Sequence, residues 1–221
     1  MGFDFNISLF IESIPYLING AKYTIVFSII SIVFGIVIGL FASLMKISKN
    51  PILNIIGNTY IEVIRGTPLL LHIMIAYYGL AAFNIKLSYF TAGILALSIN
   101  SGAYCGEIFR AGIESIEKGQ MEAARSVGMS YGQAMRYIII PQAIKRVIPP
   151  LTNELVAMLK DSSLLSIIAV PELLRNARQL MGTKANVWSP FLGAALIYLV
   201  LTLPLTRLAY VLERRFAKGG V

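Results

Sequence analysis

"YTIVFSIISIVFGIVIGLFASLM", residues 23–45, holds no charged side chain. A helix rises about 1.5 Å per residue, so this stretch outruns the ~30 Å hydrocarbon thickness of a bilayer. The rest of the chain has the same character. Of 221 residues, 57% are hydrophobic and only 14% charged, and the mean hydropathy is +0.73. A soluble domain of this length exposes far more charge. The apolar residues come in long blocks, which makes the chain an all-α, polytopic membrane protein. Its single cysteine, Cys105, excludes an internal disulfide and reads as a buried, inert thiol.

Five blocks are long enough to span, at about 21–45, 54–83, 89–113, 147–169 and 190–212, the second broken by Glu62, Arg65 and Pro68. The first twenty residues carry Asp4 and Glu12 and no base, so they do not read as a signal peptide. Phe3, Phe5, Phe10 and Tyr16 suit a segment in the membrane interface, 1–20. The stretch 171–189 reads as a short amphipathic helix on the outer face, with Trp188 and Pro190 marking re-entry. With the N-terminus outside, inner segments hold Lys46, Lys49, Lys118, Arg125, Arg136, Lys145, Arg146, Arg214, Arg215 and Lys218. Outer segments hold only Lys22, Lys86, Arg175, Arg178 and Lys184, which favours N-out, C-in. The basic balance of +8 is thus explained by orientation in a lipid membrane rather than by nucleic acid. No repeat or linker divides the chain, so 1–221 is one domain.

The segment 118–141 is too polar to span. It contains Glu122-Ala123-Ala124, then Gly128, Ile138, Ile140 and Pro141. "MEAARSV" favours helix, Gly128 interrupts it, and "SYGQAMRYIII" resumes it until Pro141 ends it. The expectation is a compact two-helix knob on the cytoplasmic side.

This pattern resembles the EAA motif of permease subunits of ATP-binding-cassette importers, with Ile140 where the family usually has Leu. "RGTPLLLH" (65–72), "AYCGEIFRAGIESIEKGQ" (103–120), "IPQAIKRVIPPLTNE" (140–154) and "LKDSSLLS" (159–166) resemble its polar amino acid branch. His72 stands where that branch often has Gln. The resemblance implies a dimer of membrane chains, identical or homologous. It also implies two ATP-binding subunits and an extracellular or periplasmic solute-binding protein, in a bacterial or archaeal cytoplasmic membrane. The knob would dock into the ATPase, Glu122, Arg125 and Arg136 matching charge, Ala123 and Ala124 permitting close approach at the turn of Gly128.

No G-x-x-x-x-G-K-[ST] phosphate loop occurs, and no metal cluster or nucleophile–base pair is visible. The chain reads as a non-enzyme that binds no cofactor, ATP and Mg belonging to the partner ATPase. His72 reads as a hydrogen-bonded histidine inside the bundle.

Charge within spans is costly and needs a partner or a wet cavity. Glu62 and Arg65, and Glu107 and Arg110, are spaced i,i+3 and read as two structural clamps. Glu154 and Asp161 share one face of the fourth span, two turns apart, while Lys160 points about 100° away with Asn153. By helical rise, Glu154 lies roughly 10 Å deep, Asp161 and Thr67 roughly 20 Å, and Asn100 and Ser101 roughly 17 Å from the other side. These groups converge near the midplane, where transporters bind solutes. Glu154 and Asp161 would face a cationic group, and two acids point to a basic amino acid. Ser162, Ser163 and freed backbone groups would serve the solute's carboxylate or the chain's own bend, with Asn153 nearby. The competing arrangement pairs Glu154 and Asp161 with Lys160 or Arg207. Two other functional classes stay open: an ion-gradient-driven carrier or channel, and a non-transporting adaptor that binds an ATPase.

Overall fold

The structure, a computed structural model, describes residues 4–217. Phe3 and Lys218 lie outside the described residues. Among those described every regular element is helical, as the apolar blocks require. Helix α1 (Ile7–Lys46) is followed by α2 (Pro51–Arg65), α3 (Leu69–Met74), α4 (Leu80–Ala82) and α5 (Tyr89–Glu114). Then come α6 (Lys118–Ser126), α7 (Tyr131–Ala134), α8 (Ile140–Asp161), α9 (Leu173–Lys184) and α10 (Trp188–Ala217). Helices α1 and α10 are each long and apolar enough to cross a bilayer, and the bent run from α2 through α4 passes together. The polar residues of α5 and α8 keep those helices below that threshold. They pack against α1 and α10 instead of relying on lipid for every face.

Two expectations change and one gains a direction. The block 54–83 is broken at Pro68 as its sequence implies, and the axis turns there by 101° between Arg65 and Leu69. Pro68 has φ −65° and ψ 135°, and its ring forbids continuation of the helix. The stretch 1–20 is continuous with the first span from Ile7 onward, and its Ser13, Leu17 and Gly20 are buried. There Leu17 and Ala21 meet Leu173 and Ala177 of α9 and Ala194 of α10. Finally, Pro141 does not end a helix. A π turn at Met135–Ile139 joins α7 to α8, with Ile140 N–H reaching Met135 O, and this wider turn accommodates a proline that lacks an N–H.

Helix α1 owes its central place to a seam with α5. Ser31, Gly35, Gly39 and Ser43 recur every fourth residue, opposite Ser98, Gly102 and Gly106. A Cβ placed on Gly39 would lie 2.6 Å from Cys105 Cβ and 2.7 Å from Gly106 N. One on Gly35 would lie 2.8 Å from Ser101 Oγ. The backbones therefore touch, the packing that small residues permit in membranes. The buried hydroxyls of Ser31, Ser43 and Ser98 have no hydrogen-bond partner among the described residues, so their smallness is what the seam uses. Cys105 is fully buried within it.

The seam predicts that Gly39→Val forces α1 and α5 apart and costs about 1–3 kcal/mol. Thermal unfolding of the purified protein in detergent would show a lowered midpoint; a wild-type midpoint would contradict contact this close.

Candidate functional site

The site grows from the break after α2. Gly66 closes that helix by donating its N–H to Glu62 O at 2.8 Å. Thr67 turns its hydroxyl back to Val63 O at 2.7 Å. The same oxygen lies 2.7 Å from His72 Nε2. His72 Nδ1 in turn lies 3.3 Å from Asn100 Nδ2. One assignment satisfies all three contacts: Nε2–H donates to Thr67, and Nδ1 accepts from Asn100. This chain ties the broken segment to α5. One residue further on, Ser101 donates to Glu154 Oε1 at 3.0 Å, tying α5 to α8.

These links enclose a cavity of about 530 Å³ lined by Arg65, Thr67, Asn100, Tyr104, Glu154 and Asp161, among others. The size suits a small-molecule site. Thr67, Asn100, Glu154 and Asp161 thus meet as their spacing implied. Ser101 is fully buried and reaches the cavity only through Glu154. Asn153 is exposed and off the cavity lining. Ser162 is buried and donates to Leu159 O at 2.9 Å, so it supports the chain's own bend into the 3₁₀ turn Ser162–Ile168. Ser163 is half-buried beside it and also does not line the cavity.

Among the described residues neither Glu154 nor Asp161 forms an ion pair. Pairing with Lys160 or Arg207 is therefore not the arrangement found. Nor do Glu62 and Arg65 pair. Glu62 accepts from Asn58 Nδ2 at 2.8 Å, while Arg65 turns to Glu107, 3.8 Å away, and lies 5.3 Å from the centroid of the Tyr104 ring. The second expected clamp is present: Arg110 Nε donates to Glu107 at 3.1 Å. It is also larger than expected, because Lys46 reaches the same carboxylate at 3.3 Å and Arg110 pairs with Glu114 as well.

Arg65, Tyr104 and His72 were the site residues that spacing did not reveal. Arg65 was assigned to Glu62 by helical neighbourhood, an argument that fails at a helix end followed by a right-angle break. The signal that could have found it is "RGTP" itself, a cation beside a helix breaker inside a span.

The knob at 118–141 forms from α6, α7 and the π turn. Gly128 has φ +86°, a left-handed turn that few other residues adopt. Arg125 braces the turn, NH1 donating to Met129 O at 2.8 Å, and Ser130 and Gln133 form a capping box. Ala124 faces inward and is buried, whereas Glu122, Ala123, Arg125 and Arg136 are exposed. Of the two alanines, only Ala123 is presented outward.

Residues 31–218 match the family described as "Binding-protein-dependent transport system inner membrane component". The chain is 40% identical over 214 residues to a probable glutamine ABC transporter permease, GlnM, of Bacillus subtilis, covering 97% of this chain and 99% of that one. It is 38% identical over 216 residues to the arginine transport system permease ArtQ of Bacillus subtilis, covering 97% and 98%. A solved structure, "Crystal structure of an amino acid ABC transporter with histidines", superposes with a TM-score of 0.91 at 43% identity, over 97% of this chain and 100% of that one. The chain belongs to this family of inner membrane components.

The hydrogen-bond chain predicts that His72→Leu, which leaves Thr67 and Asn100 without their shared partner, costs about 1–3 kcal/mol. His72→Gln keeps a donor and an acceptor and should melt close to wild type in the same unfolding assay.

Proposed function

We propose that this chain is the membrane subunit through which an ATP-driven importer carries polar amino acids, with a basic side chain preferred, by alternating access. What carries this reading is one cavity with a guanidinium at one wall and two unpaired carboxylates at another. A free amino acid presents the complementary charges. Arg65 faces the α-carboxylate. Glu154 and Asp161 face the α-ammonium and, for arginine, lysine or histidine, the cationic side chain. Thr67 and Asn100 add hydroxyl and amide contacts, and Ser101 holds Glu154 in place. Ser162 and Ser163 shape the bend behind Asp161, and Asn153 lies outside the contact set.

Two ATP-binding subunits, each holding ATP and Mg, supply the energy. They engage the knob at 118–141 through Glu122, Ala123, Arg125 and Arg136. A second membrane chain, identical or homologous, completes the pore, and an extracellular or periplasmic solute-binding protein delivers the amino acid. The chain lies N-out and C-in, with the outer turns of α1 in the interface. ATP binding closes the ATPase pair, the knob carries that movement into α8, and the cavity changes sides. Family membership favours this scheme over an ion-driven carrier, and the charged cavity favours it over a non-transporting adaptor.

Uptake into proteoliposomes containing the assembled complex tests the site. Glu154→Gln and Asp161→Asn should each weaken apparent affinity for arginine roughly ten- to hundredfold, and weaken that for glutamine less. Unchanged affinity for both amino acids would remove the site assignment. For the knob, Ala123→Trp should abolish co-purification of the ATPase while the isolated membrane chain keeps its melting temperature; retained co-purification would move the docking surface elsewhere.

A further inference from the structure

A second cavity, of about 360 Å³, adjoins the first. Its walls include Glu107, Ala111, Ser115 and Arg146. Arg146 NH1 donates to Ser115 O at 2.6 Å, three residues before the knob's first helix begins at Lys118. The second cavity thus leads from the solute cavity towards the coupling side of the bundle. Only two residues, Arg65 and Tyr104, line both cavities.

These two residues also touch each other, the guanidinium carbon lying 5.3 Å from the ring centroid. Neither hold on Arg65 is tight. Its side chain is 40% exposed and stands 3.8 Å from Glu107, whose carboxylate is already engaged more closely by Lys46 and Arg110. Arg65 is also the last residue of α2, directly before the break. Arg65 thus touches the ring and stands at the edge of the Glu107 cluster at once, at a helix end from which its side chain can swing towards either.

We infer that Arg65 and Tyr104 form the inner barrier of the solute path, a cation laid against an aromatic ring, and that solute passes inward when Arg65 leaves the ring and closes fully on Glu107, from which it now stands 3.8 Å. The inference rests on the proposed solute cavity and orientation. It gives Glu107, which already draws cations from α1, α2 and α5, a part in opening: its carboxylate holds Arg65 once the ring is released. It also gives the solute a part in its own release, since a carboxylate in the first cavity competes with Tyr104 for the same guanidinium.

The inner barrier must seal whenever the outer side is open. The complex in proteoliposomes is therefore trapped with ATP and vanadate, and nucleotide-independent flux of radiolabelled arginine and glutamine is measured. Wild type should be tight. Tyr104→Ala should leak roughly five- to thirtyfold faster, the factor that loss of one cation–π contact allows. Tyr104→Phe keeps the ring and should stay tight. Flux at the wild-type rate in Tyr104→Ala overturns the barrier, as does an equal leak in Tyr104→Phe. If Tyr104→Ala does not assemble, Arg65→Ala is read in the same way. Glu154→Gln and Asp161→Asn run alongside: normal uptake in these would sink the solute cavity, whereas lost uptake with a tight Tyr104→Ala would sink only the barrier.

Discussion

The contact between α1 and α5 governs the arrangement of everything else. Because Gly39 meets the Gly106 backbone and Gly35 meets the small side chain of Ser101, two helices share a single thickness of side chain. In lipid, water offers no drive to push apolar surfaces together, so fit between small residues must hold such helices. Large residues are moved off the seam. On α1 they face outward, as with Val33, Phe34, Val37 and Phe41, all exposed in the isolated chain. On α5 the close approach fixes the azimuth of the helix, and this decides where Asn100, Tyr104 and Glu107 point. One turned face of α5 thus carries, in order, an amide, a phenol ring and a carboxylate from the midplane towards the knob.

A polar file of this kind would be unstable if its members were isolated. Its members and neighbours are tied to other elements: Asn100 to His72 of α3, Ser101 to Glu154 of α8, and Glu107 to Lys46 of α1, with Arg110 of the same helix beside it. Helix α5 is thus linked in turn to the broken segment, to α8 and to α1. The knob is joined to the cavity by continuous helix, because the π turn leads from α7 into α8 without a loop and α8 carries Glu154 and Asp161. At another point of the bundle buried Glu172 caps α9, accepting from the N–H groups of Leu174 and Arg175 and from the Tyr198 hydroxyl of α10.

The sequence made much of this legible. Apolar block length located the long helices α1, α5, α8 and α10 and the bent run from α2 to α4, although among the described residues only α1, α10 and that run are apolar enough to cross a bilayer. Helical phase put Glu154 and Asp161 on one stripe, and depth counting brought Thr67 and Asn100 to them. What could not be read was anything set by direction after a break. The 101° turn at Pro68 carries Arg65 away from Glu62 and towards Glu107 and Tyr104. Proline at 141 signals a helix end in local terms, yet a π turn absorbs it within a longer helix. Ser101 was placed by depth, and depth does not tell which way a side chain faces; Asn153 shares the face of Lys160, off the Glu154 stripe, and lies outside the cavity lining. The glycine and serine seam was present in the letters at four-residue spacing, but its partner helix is far along the chain, and only the packed structure matches the two.

The ring of His72 shows how far such orientation reaches. With its Nδ1 accepting from Asn100, the ring fixes which side of that amide turns to the broken segment. Asn100 itself lines the cavity beside Glu154 and Asp161, and His72 does not. An imidazole outside the lining thus orients an amide within it.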